Sequence, residues 1–191
     1  ITGDNEHTLR NSPLLEAYKK KDIEVLIMDD EIDEIVVPAI GKYKEYELKA
    51  VNRSDAGEDL KSEADSKAKE EVQSAVEKIK RALGERVKDV RVSVRLSDSP
   101  SCIVTDENDP GYKMAALLKA MGHKDIPEIK PILEINPNHE IVRKLNTVED
   151  PLLIDDISFL LLDQALLVEG VEVKDPADFV KRLNRILAKA V

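Results

Sequence analysis

Five acids crowd one short stretch: Asp29, Asp30, Glu31, Asp33 and Glu34 follow an apolar run. Oxygen ligands at that density could hold a divalent cation, and a metal-dependent hydrolase is the chemistry such a site would run. Acids at the start of a helix are also stabilised by its free amides and dipole, so capping explains the cluster without a metal. The other reactive residues are dispersed. His7, His123 and His139 lie in different segments beside loops, and read as surface or capping groups rather than a ligand set. Ser97, Asp98 and Ser99 could suggest a nucleophile loop, but no histidine is near them in sequence and turn chemistry alone selects these residues. Cys102 alternates into a strand and reads as a buried thiol. No glycine-rich phosphate loop, paired cysteines or HExxH pattern occurs, and the seven glycines are scattered singly. No complete catalytic site is expected in this stretch.

Composition narrows the partners. A net charge of −10, with basic residues interspersed among acids, provides no extended surface for a phosphate backbone and argues against nucleic acid. Lys19-Lys20-Lys21 is flanked by Glu16, Asp22 and Glu24 and reads as a solvated helix end. One cysteine excludes an internal disulfide and fits a reducing, cytoplasmic setting. No apolar run approaches the roughly 20 residues that span a bilayer, so no membrane partner is expected. With 3% aromatic residues and no Trp, the core must be built from Leu, Ile, Val and Ala. Ile1 followed by Thr-Gly-Asp-Asn reads as a chain already under way.

The elements that would position these residues follow from periodicity. Ser12 and Pro13 open a short helix. Residues 23–28 are nearly continuous apolar sequence, the pattern of a strand covered on both faces. Ile32, Ile35, Val36 and Ile40 recur at helical spacing, with Pro38 limiting the helix, and residues 44–51 suggest one more strand. Together they form a small αβα unit over residues 1–60. Residues 52–66 read as a linker, with the boundary near Leu60. Ala68, Val72, Ala75, Val76, Ile79 and Leu83 then trace one face of a long helix ended by Gly84. Val90, Val92, Val94 and Leu96 alternate with Arg91, Ser93 and Arg95, predicting a strand with one wet face. A strand at residues 102–104 is expected to pair back onto it. Asp109-Pro110 caps a helix over residues 111–121, and residues 126–135 suggest a third strand, placed at the sheet edge by Pro127 and Pro131. Asn136-Pro137-Asn138 opens a helix with Ile141, Val142 and Leu145 inward. Two helices close the chain, over residues 152–169 and after Asp175-Pro176. Residues 61–191 thus form a second, mixed α/β domain with a three-stranded sheet, and the fold class is α+β.

Two features concern association. The first terminal helix is apolar over most of its circumference, so the pair has more apolar surface than one small sheet can cover, which suggests a second copy completing a four-helix bundle. Met114, Leu117, Leu118 and Met121 form an i, i+3, i+4, i+7 stripe. By spacing this is a core face, and by methionine content it is a surface adaptable to irregular apolar partners.

Several strings together resemble one family. Ser12-Pro13-x-Leu15-Glu16, Glu24-Val25-Leu26 and Ile32-Asp33-Glu34 are similar to the end of the middle domain of the heat shock protein 90 chaperones, of the bacterial high-temperature protein G type. Arg95-Leu96, Ser99-Pro100, Val104-Thr105-Asp106-Glu107, Glu134-Ile135-Asn136-Pro137 with His139, Leu161-Leu162-Asp163-Gln164-Ala165-Leu166-Leu167 and Glu169-Gly170 resemble that family's C-terminal domain in order and spacing. The resemblance implies an ATP-dependent chaperone whose ATP and magnesium are held by an N-terminal domain outside this stretch, so that no catalytic residue and no cofactor falls here. It implies residues 1–60 as the end of the middle domain and residues 61–191 as the dimerisation domain. It places a homodimer interface at Leu160, Leu161, Leu167, Phe179, Leu183 and Ile186, and client-protein contact at Met114, Leu117, Leu118 and Met121. The ending Ala190-Val191 lacks the acidic MEEVD tail of eukaryotic cytosolic members, which favours a bacterial type.

Overall fold

The computed structural model describes the chain except residues 31, 58, 59, 61, 62, 107, 108, 110, 124–127 and 191, together with the side chains of 63–66, 113 and 190. It is a mixed helix and strand protein in three layers. The middle layer is a three-stranded sheet of β3 (Asp89–Val92), β4 (Ser101–Val104) and β5 (Ile132–Ile135). The strand order is β3-β5-β4, with β5 parallel to β3 and antiparallel to β4.

Two sequence expectations fail here. β4 does not pair with β3, and β5 is the central strand rather than an edge. Pro131 lies one residue before β5, so it removes no donor from the ladder, and its carbonyl accepts from the Lys88 amide at 2.8 Å.

The sheet has two different faces. Register places Val90, Leu133 and Ile103 side by side, and this face meets α5 (Gln73–Leu83), α7 (Glu140–Thr147) and α8 (Pro151–Val168). Ala75, Ile79 and Leu83 of α5, Val142 and Leu145 of α7, and Leu161, Leu162, Ala165 and Leu166 of α8 supply the main core. Their three- and four-residue spacing is the apolar stripe of helices packed on a sheet. The long helix read from sequence is in fact α4 (Glu63–Glu71) and α5. They part at Val72, whose φ of −113° and ψ of 13° leave the helical region while its side chain stays buried. Gly84, at φ +48°, terminates α5 as expected, because a residue with a Cβ avoids that conformation.

The opposite face, with Cys102, Val104 and Ile132, packs against Leu14, Leu15 and Val51. Ser12 caps the 3-10 turn Pro13–Leu15, its hydroxyl accepting from the Leu14 amide, and α2 (Glu16–Lys20) follows, as the Ser-Pro signal predicts. α1 (Glu6–Arg10) precedes them. Residues 23–28 are not a covered strand. Only the Thr2–Met28 bridge pairs there, and Leu26 is 67% exposed. α3 (Asp33–Ile40) contains Pro38 near its end, and a two-residue hairpin, β1 (Lys42–Tyr43) with β2 (Tyr46–Glu47), replaces the strand expected over residues 44–51. α6 (Tyr112–Ala120) lies between β4 and β5, and α9 (Pro176–Ala190) ends the chain. Among the described residues no helix is long and apolar enough to cross a membrane.

Candidate interaction surfaces

Of the acids at residues 29–34, Asp33 and Glu34 lie in the first turn of α3. Asp33 Oδ2 accepts from the Asp30 amide at 3.1 Å and Glu34 Oε1 accepts from the Thr2 hydroxyl at 2.6 Å; Glu31 lies outside the described residues. Among the described residues no group of histidine, cysteine or acidic side chains converges to hold a metal ion, so the hydrolase alternative finds no support. His139 caps α7, with Nδ1 facing the Ile141 amide at 3.2 Å. Ser97 and Ser99 serve a turn rather than nucleophilic chemistry. Their amides and that of Asp98 converge on the Glu16 carboxylate at 2.7–3.2 Å, and the Ser99 hydroxyl donates to it at 2.5 Å. Burial pushes the Glu16 carboxyl up, but the bonds from Ser99, Asp98 and Ser97 outweigh it and hold the group below the usual range.

The supposed wet face of β3 is a buried polar layer. Glu134 and Arg95 are almost fully buried, and Glu134 accepts from Arg91 at 2.7 Å, Arg95 at 2.9 Å and Ser93 at 2.8 Å. The alternation expected through Leu96 holds only to Val92, where β3 ends: Leu96 packs in the cluster on the opposite face from Val90, and what covers Arg91, Ser93 and Arg95 is residues 51–57, not water. Cys102 sits beside Glu134, and burial first, then that carboxylate, pushes its thiol well above its ordinary value, as an inert structural thiol requires.

The terminal helices present the most unusual surface. α8 is capped by Asp150, whose side chain accepts from the Leu152 amide, and runs across the sheet with Leu161 and Leu162 each 1% exposed. α9 docks on α8 through a polar ridge. Arg185 donates to both oxygens of buried Asp156, at 2.8 and 2.5 Å, and Arg182 bonds Asp178 at 2.7 Å while stacking 4.1 Å from the Phe159 ring centroid. Lys189 reaches Asp150 at 3.2 Å. Arg185 outweighs the upward push of burial and keeps the Asp156 carboxyl below its usual range. Asp178, Arg182, Arg185 and Lys189 share one helix face at i, i+4, i+7, i+11 spacing. The apolar stripe lies roughly 130° round the helix. There Val180 is 50%, Leu183 37% and Leu187 52% exposed, beside half-buried Phe179 and Ile186. An amphipathic helix that turns its charged side to its own protein and its apolar side outward inverts the usual arrangement.

Of the interface residues named from sequence, Leu160 is half-buried, Leu167 is 49% exposed, and Phe179, Leu183 and Ile186 line the α9 stripe. Leu161 does not lie on that surface: it points into the main core. One position along a helix is a 100° turn, and the run Leu160-Leu161-Leu162 gives no sequence signal for which leucine faces inward. Val180 and Leu187, apolar members of the last helix by sequence though not among the named interface residues, join the outward stripe, and the Asp156–Arg185 clamp has no pairing signal in the sequence, although the four-and-three spacing of charges on α9 marks the docking ridge. On α6, Met114, Leu117 and Leu118 are half-buried and Met121 is 68% exposed, so the stripe is neither a closed core face nor a free one.

Helices pack on one face of a small mixed sheet, and the α9 stripe is an apolar surface left exposed. The sequence model of the family described as Hsp90 protein matches residues 1–191. The chain belongs to the Hsp90 family of chaperones. It is 53% identical over 191 residues, 98% of its length, to the chaperone protein HtpG of Treponema denticola, and 54% identical over 194 positions to that of Aliarcobacter butzleri. The HtpG of Treponema pallidum is 48% identical over 193 positions. In each case the chain spans about 30% of the relative's length.

Proposed function

We propose that this stretch is the dimerising and client-contacting part of an ATP-dependent chaperone: residues 1–60 end a middle domain and residues 61–191 form the dimerisation domain. The observation that carries the reading is the inverted α9, held by Asp156, Arg182 and Arg185 with Val180, Leu183 and Leu187 outward. A second copy related by a two-fold axis would cover the stripe with the same stripe, the isologous contact typical of homodimers. Tethering in this way raises the effective concentration of two attached ATPase arms into the millimolar range, which is how the stretch would serve nucleotide chemistry without performing it. ATP and magnesium belong to the rest of the family chain, and the working compartment is the bacterial cytoplasm. The Met114, Leu117, Leu118 and Met121 stripe is the client surface, because partly exposed methionines repack around irregular apolar partners.

The test is Leu183→Asp with Leu187→Asp. A charge in a covered apolar face costs several kcal/mol, so the double variant sediments as a monomer with the circular dichroism of the parent. A dimer of parental affinity removes the α9 stripe from the interface. For the client surface, a photo-crosslinker at Met121 captures an unfolded protein and one at exposed Lys144 on α7 does not; equal capture at both refutes the assignment.

A further inference from the structure

By sequence, α4 and α5 should be one helix. No glycine or proline lies between Glu63 and Leu83, yet the helix breaks at Val72. A sharp break without either residue calls for a group inserted into the backbone ladder. In an unbroken helix the Ala75 amide would donate to the Glu71 carbonyl, four residues back. Here the side chain of Asn146, in the last turn of α7, stands between the two. Its Oδ1 accepts from the Ala75 amide at 3.1 Å, and its Nδ2 donates to the Glu71 carbonyl at 2.9 Å. The next bond of the ladder, from the Val76 amide to the Val72 carbonyl, is an ordinary 3.1 Å. A carboxamide carries its acceptor and its donors on separate atoms, so it satisfies both separated backbone groups at once.

Asn146 is held in turn by α5. Lys78 Nζ donates to the carbonyls of Val148 at 2.7 Å, Asn146 at 2.9 Å and Leu145 at 3.3 Å, and so closes the C-terminal end of α7 with a cation where the dipole favours one. The end of α7 is therefore gripped by α5 while it splits α5 from α4. Little else sets the direction of α4, since Lys67, Lys69, Glu70 and Glu71 are all exposed. We infer that Asn146 is the pin of a hinge between α4 and α5. Inserted, its carboxamide keeps the helix broken and turns α4 away from the axis of α5. Withdrawn, it lets the Ala75 amide recover the Glu71 carbonyl, and the two segments run as one straight helix. The chain enters residues 73–191 through α4, so the pin sets the direction of that entry.

Asn146→Ala tests the hinge. Asn146 is half-buried at a helix end, and Lys78 still caps α7 in the variant. Cys102 is the only cysteine and is buried, so spin labels on Lys67→Cys in α4 and Arg81→Cys in α5, both exposed, report the angle between the helices. The labelled chain is diluted into excess unlabelled chain so that only distances within one protomer are read. The parent gives a short distance and a Val72 Cα chemical shift outside the helical range. In Asn146→Ala the separation lengthens towards the roughly 21 Å that fourteen positions span along a straight helix, and the Val72 shift becomes helical. Asn146→Ser, too short to reach both backbone groups, reads the same distance should Asn146→Ala fail to fold. A folded variant that keeps the parent distance and a non-helical Val72 overturns the hinge, because the break would then belong to α4 and α5 alone. Loss of amide protection over residues 63–71 without lengthening overturns it as well, since α4 would fray rather than swing.

Discussion

Leu161 and Leu187 are both leucines of the terminal pair, and they stand in opposite surroundings. Leu161 is 1% exposed within the main core, and its carbonyl accepts from the Ser101 hydroxyl at 2.8 Å, which pins that turn of α8 to β4. A pinned backbone cannot move in to fill a hole, so Leu161→Ala leaves most of its cavity open and costs about 3–4 kcal/mol. For a domain of this size each kcal/mol is worth roughly 2–4 °C, so the midpoint of thermal unfolding falls by about 6–16 °C. Leu187 is 52% exposed, and truncating it removes only about 1 kcal/mol of burial within the protomer. Its remaining surface is what a partner would cover, so Leu187→Ala raises the dimer dissociation constant about tenfold, the equivalent of about 1.4 kcal/mol. Thermal unfolding at several protomer concentrations, beside sedimentation velocity, separates the two. The Leu161→Ala loss is the same at every concentration, while the Leu187→Ala loss grows on dilution because dissociation is linked to unfolding. If Leu187→Ala destabilises as much as Leu161→Ala and without concentration dependence, the face assignment is wrong.

Two further outcomes follow from the charged contacts. The Glu16 carboxyl is held below its ordinary 4.5, so its contribution is fully present above that value and is lost as pH falls through the lower folded-state value. Glu16→Gln is therefore less stable than the parent at neutral pH, and equilibrium urea unfolding shows the gap closing as pH falls below 4.5; a gap independent of pH would remove the amide cradle as its cause. Asp156→Ala unseats Arg185 and Arg182, and hydrogen exchange shows loss of protection in α9 with α5 unaffected. Protection lost equally in both helices would mean that Asp156 supports the whole core rather than the docking ridge.

Much of the architecture is legible because local rules agree with the fold. Ser12-Pro13, Asp150-Pro151, Gly84 and Gly170 mark element ends by capping and backbone chemistry, and α7 buries Val142 and Leu145 as expected, although Ile141, also expected inward, is 40% exposed. What escapes is long-range. Proline content put β5 at the edge, but a proline just outside a strand leaves its ladder intact. Arg91, Ser93 and Arg95 announced a polar face, yet alternation reports a period and not what lies over the face; Glu134, some forty residues on, could not be paired with them from spacing. The run at residues 23–28 has the composition of a doubly covered strand, yet Ile23 and Leu26 stand 43% and 67% exposed. On the candidate surface, the stripe of α9 was visible as a pattern, but its outward direction depends on Asp156 of another helix, a tertiary fact.

Sedimentation equilibrium of the unaltered chain at micromolar concentration addresses the α9 surface most directly. The account predicts a mass of twice 21.4 kDa that falls towards 21.4 kDa on dilution. A folded chain that stays at 21.4 kDa across that range would contradict it, since the Val180, Leu183 and Leu187 stripe would then stand open to water with no twin to cover it.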